Sequence, residues 1–151
     1  MMHATETVIR KSITVNAPVE RAFEVFTEGI GTWWPLETHS VGRARAETVV
    51  LEGREGGRLF ERQTDGVESD WGRVTAWDPP HRVAFTWHPG RGVATAQEVE
   101  VQFTGTGGST RVDLEHRGWE NLGDLAAETI SRYDSGWDHV LGNRYAEAAS
   151  R

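Results

Sequence analysis

His116 is the polar side chain best placed for chemistry, because it closes a strand of alternating apolar residues. Trp87 ends another such strand on the same predicted face. With an unperturbed pKa of about 6.5, a histidine there could polarise or protonate an apolar substrate. A lone inward histidine is more often satisfied by a neighbouring group, so we expect His116→Gln to cost little in ligand affinity or activity.

Glu61 and Arg73 are a second pair of groups that could carry chemistry or neutralise each other. Strand parity leaves Glu61 open, because it shares one side of its strand with Leu59 while Phe60 and Arg62 share the other. An inward Glu61 needs a partner, since an unpaired buried carboxylate is costly. We expect an ion pair between Glu61 and Arg73.

Familiar catalytic signatures are absent from the sequence, which has no Gly-x-Ser-x-Gly, no His-Glu-x-x-His and no cysteine. Gly105–Thr110 lacks the P-loop lysine and separates two alternating strands, which favours a hairpin turn. Asp134, Asp138 and His139 could lie together on the last helix, but a solvated helix face explains them better than a metal site. His39 and His88 fall in predicted loops or at strand ends and lack a third convergent ligand. We assign no catalytic residue, cofactor or metal, and favour a protein that is not an enzyme.

Seven tryptophans in 151 residues are unusual, and two of them form Trp33-Trp34-Pro35. Successive residues of a helical turn differ in direction by about 100°. We therefore predict that Trp34 turns inward and Trp33 more outward at the rim of a cavity, with Pro35 ending the turn. An inward Trp34 would either fill core or offer a ligand a flat face and one N–H, and both readings stay open.

Alternation and turn residues predict an antiparallel meander followed by a long helix, an α+β fold. The predicted strands are Thr7–Val15, Thr48–Glu52, Arg58–Gln63, Asp70–Trp77, Arg82–Trp87, Thr95–Thr104 and Thr110–His116. Pro18 opens a short first helix with the apolar stripe Val19, Ala22, Phe23 and Phe26. The last helix, from Asn121 or Asp124 to Ala149, must cover the sheet, and a cavity between them is a natural by-product.

Several motifs occur in an order that resembles the START-like or Bet v 1-like (SRPBCC) superfamily, in the branch of bacterial proteins similar to the C-terminal domain of the Hsp90 ATPase activator. They are Ala17–Phe23, Trp33–Pro35, Arg54–Arg58 with Glu61, Trp71-Gly72, Trp77–Pro80, Phe85–Trp87, His116–Trp119 and Gly136-Trp137. The resemblance covers roughly Thr7 to Ala149. It implies a helix-grip fold, a curved antiparallel sheet around a long C-terminal helix, and function must still be argued from the site.

We take the inner-face residues and the facing helix stripe as the candidate ligand-binding site. Its residues are Trp34, Phe26, Trp71, Phe85, Trp87, Phe103, His116, Tyr133 and Trp137. The leading hypothesis is binding of a small, largely apolar molecule between sheet and helix. The alternatives are a protein-interaction module of the chaperone-activator kind and an enzyme acting on an apolar substrate, as cyclase-like and hydrolase-like members of the superfamily do.

Amino-acid composition restricts which partners the protein can bind and in which compartment we expect it. The net charge of −7 and the scattered arginines argue against nucleic acid, which is bound mainly through Lys and Arg. The sequence has no long apolar run and no export signal at Met1–Val8, so we expect a soluble, cytoplasmic protein that does not insert into membranes. We expect one domain over residues 1–151. A protein partner and a homodimer remain open.

Overall fold

The computed structural model describes residues 7–151. The start of the chain, on which the expected lack of an export signal rests, lies largely outside that range. Within it, seven strands form: β1 Ile9–Val15, β2 Ala46–Leu51, β3 Arg58–Gln63, β4 Glu68–Asp78, β5 Arg82–Trp87, β6 Gln97–Thr106 and β7 Ser109–Arg117. They make one curled antiparallel sheet in the order β1-β7-β6-β5-β4-β3-β2.

One α-helix lies between β1 and β2, and the others follow β7. Helix α1 spans Val19–Phe26, and helix α2 spans Ala126–His139. A π-helical segment, Val140–Tyr145, continues α2 into the last turn, α3, Ala146–Ala149. The long C-terminal helix and the curled sheet confirm the predicted α+β helix-grip fold.

Element boundaries differ from the prediction where a tight turn replaces regular structure. Strand β6 begins later than expected because Val93–Thr95 forms a 3₁₀ turn. The regular part of the last helix also begins later, because Gly123 takes a φ of +57° inside a 3₁₀ stretch, Trp119–Leu125. That left-handed conformation suits glycine and breaks the helical run.

The predicted inner face of the sheet is buried. The apolar side chains of the central strands are at most 2% exposed: Val83, Phe85, Trp87, Val99, Val101, Phe103, Val112 and Leu114. On the outer face, the Arg117 guanidinium contacts Glu98 and Glu100, and Arg82 contacts Glu100. The period-two pattern therefore assigned the two faces of β5, β6 and β7 correctly.

Lys11 lies on β1 between Ile9 and Ile13 and faces the C-terminal helix. Its ammonium is 3.0 Å from a carboxylate oxygen of Asp134 and 3.0 Å from one of Asp138. These two aspartates, expected on a solvated face, thus tie α2 to the edge of the sheet. Both carboxylates remain mostly exposed, so the ion pairs contribute little to stability.

Candidate functional site

The space between the sheet and the C-terminal helix is filled largely by aromatic side chains. At one end, which we call the packed end, Phe26, Trp33, Phe103 and Tyr145 form a continuous group. Phe26 is 5.2–5.8 Å from the other three rings, centroid to centroid. Aromatic pairs in this range of distances contribute to stability beyond the area that they bury.

At the other end, which we call the open end, Trp34 is the hub. Its ring lies 5.3–6.0 Å from those of Trp33, Trp71, Trp87 and Trp137. Its indole N–H donates to the backbone carbonyl of His39 at 2.7 Å. Trp34 is only 6% exposed, so it turns inward as predicted.

The predicted outward orientation of Trp33 is wrong. Trp33 is 2% exposed, and its indole N–H donates to the Val25 carbonyl at 2.7 Å. The helical turn ends at Thr32, and Trp33 itself has φ −134° and ψ −16°. Since two residues outside a helix need not differ in direction by 100°, both indoles can enter the core.

His116 has both ring nitrogens occupied by neighbours. The Trp137 indole donates to Nδ1 at 3.0 Å, which leaves Nε2 as the donor to the Gln97 side-chain oxygen at 3.1 Å. The ring stacks on Trp119, with centroids 4.1 Å apart. Burial lowers the pKa of His116 to about 3, so the imidazole is neutral near pH 7 and has no free nitrogen for a substrate.

Glu61 is buried, but Arg73 is not its partner, so the predicted ion pair is wrong. The Glu61 carboxylate accepts the backbone N–H groups of Val41 and Gly42 at 2.8 and 2.6 Å. It also accepts the Trp71 indole at 3.1 Å and the Gln63 amide at 3.4 Å. Arg73 points to solvent because the register shifts between Leu59 and Phe60, which breaks simple parity.

The buried Glu61 carboxylate fixes a loop that approaches the open end. A Cβ on Gly42 would lie 2.9 Å from Glu61 Oε2 and 2.7 Å from the Gln63 amide nitrogen. Only glycine therefore lets the backbone come close enough to donate to the carboxylate. Glu61 thus positions the Ser40–Arg43 turn.

A half-open pocket of about 660 Å³ begins at the open end. It lies between α2, the Thr38–Arg43 loop and the loop after β5. Its lining consists of Trp34, Thr38, His39, Ser40, Val41, Arg43, Trp87, Pro89, Gly90, Arg91, Thr129, Arg132, Tyr133, Gly136, Trp137 and Val140. Aromatic faces form its inner wall, and polar or charged groups form its outer wall.

Four of the nine predicted site residues line this pocket: Trp34, Trp87, Tyr133 and Trp137. The other five lie behind that wall. Trp71 and His116 contact it from the sheet side, and Phe85 packs on Trp87. Phe26 and Phe103 belong to the packed end. The structure therefore places one part of the predicted set along the inner wall of the pocket, where Trp87 and Trp137 are each 2% and Trp34 is 6% exposed, and puts the rest behind that wall.

Sequence patterns did not predict the outer wall of the pocket. His39, Arg43, Arg91 and Arg132 come from three separate segments and meet only in the folded chain. Arginines that are scattered along a sequence can still converge in space. The run of polar residues directly after Trp34-Pro35 was the one local hint that a loop could cover the tryptophans.

The Tyr133 hydroxyl accepts one hydrogen bond within the described residues but donates none. The Trp87 indole donates to its hydroxyl oxygen at 2.9 Å. Among residues 7–151, no acceptor takes the hydroxyl proton. Burial raises the pKa of Tyr133, although the Trp87 hydrogen bond and the charges of Arg132 and Arg91 act in the opposite direction. The hydroxyl is therefore protonated near pH 7 and can donate into the pocket.

His39 completes the outer wall beside the helix. Its Nδ1 is 2.6 Å from the Thr38 hydroxyl, and its ring centroid is 5.6 Å from that of His139. Burial lowers the pKa of His39, and the charges of His139 and Arg43 lower it further. Near pH 7, His39 is thus a neutral group whose second nitrogen faces Gly136.

Across residues 7–151, no three His, Cys, Asp or Glu side chains are grouped so that they could hold a metal ion. None of the helices in this range combines the length and the apolar character that crossing a membrane requires.

Comparison with known proteins places the chain among several solved relatives. The family described as Activator of Hsp90 ATPase homolog 1-like protein matches residues 16–148. No curated protein sequence matches the chain. The anthrahydroquino-gamma-pyrone synthase Txn09, solved in complex with SUM, is 36% identical over 94% of this chain and 97% of its own, with a TM-score of 0.66.

Two further structures share the fold. CalC from Micromonospora echinospora, a self-sacrificing resistance protein, is 25% identical over 95% of this chain and 94% of its own, with a TM-score of 0.69. Protein BH1534 from Bacillus halodurans is 23% identical over 96% of this chain and 97% of its own, with a TM-score of 0.67. At 23% identity, the similarity to BH1534 supports a shared fold and no shared function.

Proposed function

The chain belongs to the family of activator of Hsp90 ATPase homolog 1-like proteins, and from that premise we propose that it binds a small, flat aromatic molecule in the pocket at its open end. One observation carries the proposal. The pocket has a floor of three indoles and a phenol, and it opens to solvent. Its volume of about 660 Å³ lies within the range of roughly 300–1,000 Å³ that is typical of small-molecule sites.

The shape of the floor favours a planar ligand. Trp34, Trp87 and Trp137 lie at mutual centroid distances of 5.7–6.0 Å and present ring faces and edges at different angles. Such surfaces bind other aromatic rings in offset or edge-to-face arrangements. The name of the 36% identical synthase specifies an anthrahydroquino-gamma-pyrone, which supports a fused-ring ligand for this chain too.

The polar groups of the pocket favour binding without catalysis. His116 lies behind the wall with both nitrogens occupied. The lining residues include no Asp or Glu that could pair with His39 as acid and base. The tightly filled space behind Trp34 fits a protein-interaction module, which would not need an internal cavity. The pocket that opens to solvent in front of Trp34 favours ligand binding instead.

A second candidate function is an enzyme that acts on the same aromatic molecule. The observation that favours it is the Tyr133 hydroxyl, which carries a proton without a protein acceptor and lies in the pocket. A phenol in that position could donate to a substrate carbonyl oxygen. Turnover of a hydroxyanthraquinone substrate that is lost in Tyr133→Phe would favour the enzyme over the binder.

The binding proposal is tested with N-phenyl-1-naphthylamine, a neutral aromatic probe that becomes fluorescent in apolar sites. We expect it to bind the wild type and to quench tryptophan fluorescence by energy transfer. Gly136→Leu should block the pocket, because Gly136 lines it and the nearest atom to a new Cβ is His39 Nε2 at 4.0 Å. Leucine is also a better helix former than glycine, so this variant should fold.

Gly142→Leu is the matched control. It makes the same change in the same helical segment, at an exposed position that does not line the pocket. We expect this variant to bind the probe as the wild type does. Absence of binding to the wild type, or equal binding to Gly136→Leu, would refute the proposed function.

A further inference from the structure

The pocket is positively charged in a protein that is acidic as a whole. The chain has 23 acidic and 16 basic residues. The pocket lining contains Arg43, Arg91 and Arg132, and it contains no aspartate or glutamate. A purely apolar ligand would gain nothing from this arrangement.

The three arginines of the pocket also differ from those on the outer face of the sheet. Arg58, Arg82 and Arg117 each contact two or more carboxylates. Within residues 7–151, Arg43, Arg91 and Arg132 have no carboxylate oxygen within 4.0 Å. Their guanidinium groups keep five N–H donors each, and these suit an anionic oxygen.

Arg91 and Arg132 line the same pocket as Tyr133, whose hydroxyl accepts the Trp87 indole. Both are close enough for their charges to act on the pKa of that group. The backbone of Arg91 is fixed, because its N–H donates to the His88 carbonyl at 2.9 Å and its carbonyl is 3.0 Å from His88 Nδ1. Arg132 and Tyr133 are neighbours on α2. Together the three residues present donors and no competing acceptor apart from the phenol oxygen, which the Trp87 indole occupies.

We infer that the pocket takes an aromatic acid, with the ring system on Trp87 and Trp137 and the ionised group between Arg91, Arg132 and the Tyr133 hydroxyl. This inference rests on the proposed function and narrows its ligand class. A carboxylate, a sulfonate or an ionised phenol on a fused-ring system has the required chemistry. Charge-assisted hydrogen bonds from guanidinium groups are among the stronger contacts that such a group can find.

Two probes separate the inference from the proposed function. 8-Anilinonaphthalene-1-sulfonate carries the skeleton of N-phenyl-1-naphthylamine with one added sulfonate. We expect the wild type to bind the sulfonate at least about tenfold more tightly, because guanidinium groups form charge-assisted hydrogen bonds with the sulfonate and the neutral probe has no anionic group. The preference for the sulfonate should shrink in 0.5 M NaCl, because salt screens the attraction between charges. The Debye length falls from about 8 Å at 0.15 M salt to about 3 Å at 1 M.

The variant Arg91→Gln/Arg132→Gln should lower the affinity for the sulfonate to that for the neutral probe, and leave the neutral probe unchanged. Arg73→Gln/Arg111→Gln removes the same charge from residues that do not line the pocket. This control should keep the preference. Competition of both probes by 2-anthraquinonecarboxylate at a lower concentration than anthraquinone requires would extend the result to fused rings.

The outcomes are distinct. If the neutral probe binds at the Gly136 site but the sulfonate is not preferred, the inference fails and the proposed function stands. Equal loss of both probes in the double arginine variant would also overturn the inference, since the residues would then act through structure. If neither probe binds the wild type, both the inference and the proposed function fail.

Discussion

Tyr145 and Tyr133 lie in one continuous helical segment, yet their hydroxyl groups are used in opposite ways. At the packed end, Tyr145 is fully buried and donates to the Ala22 carbonyl at 2.7 Å. At the open end, the Tyr133 hydroxyl receives the Trp87 indole and keeps its own proton. The comparison shows that aromatic content alone does not mark a site. The surplus donor beside the opening is the feature that favours the open end as the candidate site.

The two adjacent tryptophans show the same contrast. Trp33 is enclosed by Phe26, Trp34 and Tyr145 and does not line the pocket. Trp34 contacts three other tryptophans on one side and the pocket on the other. The packed end therefore serves stability, and the open end combines stability with an accessible surface.

The largest expected effect tests the packed end. Trp33→Ala should lower the free energy of unfolding by about 3–5 kcal/mol, as truncation of a fully buried aromatic side chain does. Urea denaturation followed by circular dichroism measures it. A loss below about 1 kcal/mol would mean that Trp33 is not core, and that the division between the two ends is wrong.

Glu61→Gln should have the next largest effect, because four donors converge on the carboxylate. The amide NH₂ of glutamine would face two of these donors, and each unsatisfied group costs about 1–3 kcal/mol. We expect the free energy of unfolding to fall by about 2–4 kcal/mol. Glu98→Gln, on the outer face, is the control and should change it far less. Equal effects would contradict the anchoring role of Glu61.

The pH dependence of stability tests the burial of His116 behind the open end. Its pKa is about 3 in the folded protein and about 6.5 in the unfolded chain. The unfolded chain therefore takes up the proton first, and stability falls as the pH drops below about 6.5. Between pH 7 and pH 5 the loss from this group should be about 2 kcal/mol, at about 1.4 kcal/mol per pH unit.

His116→Gln isolates that contribution. Glutamine offers an acceptor to the Trp137 indole and a donor to Gln97, but it does not titrate. The variant should lose about 2 kcal/mol less than the wild type between pH 7 and pH 5. Parallel pH profiles for the two proteins would show that His116 is not held neutral by burial.

The smallest expected effect compares the tyrosines directly. Tyr145→Phe should lower the free energy of unfolding by about 1 kcal/mol, the usual contribution of one hydrogen bond. It should leave the affinity for 8-anilinonaphthalene-1-sulfonate unchanged. Tyr133→Phe should instead weaken binding of the sulfonate several-fold more than binding of the neutral probe. The comparison between the two ends would fail if both variants had the same binding phenotype.

The fold was predictable because its signals are local and repeated. Strands such as β6, with Val99, Val101 and Phe103 on one side and charged residues on the other, show their pairing face in the sequence. Parity failed in β4, where Trp71 is an extra residue between the partners of Leu59 and Phe60, so that Trp71 and Gly72 are buried in succession. The donors that satisfy Glu61 are partly backbone N–H groups, which a search for a cationic partner misses.

The candidate site was predictable only in its aromatic half. Trp34, Trp87, Tyr133 and Trp137 follow from strand ends and helix periodicity. Arg91 lies in the loop after β5 and Arg132 on an exposed face of α2, and no sequence period links them. Their convergence depends on how the loop and the helix meet around the pocket, and only the three-dimensional structure shows that.

The indole N–H resonances of the seven tryptophans give the most direct test of the central claim, that the open end and not the packed end binds an aromatic ligand. Single Trp→Phe variants assign the signals in a two-dimensional NMR spectrum. Saturating N-phenyl-1-naphthylamine should shift the signals of Trp34, Trp87 and Trp137. The signals of Trp33 and of Trp77, whose ring packs on Phe23 beside the packed end, should stay in place. An unchanged spectrum, or shifts of Trp33 and Trp77 as large as those of Trp87, would contradict it.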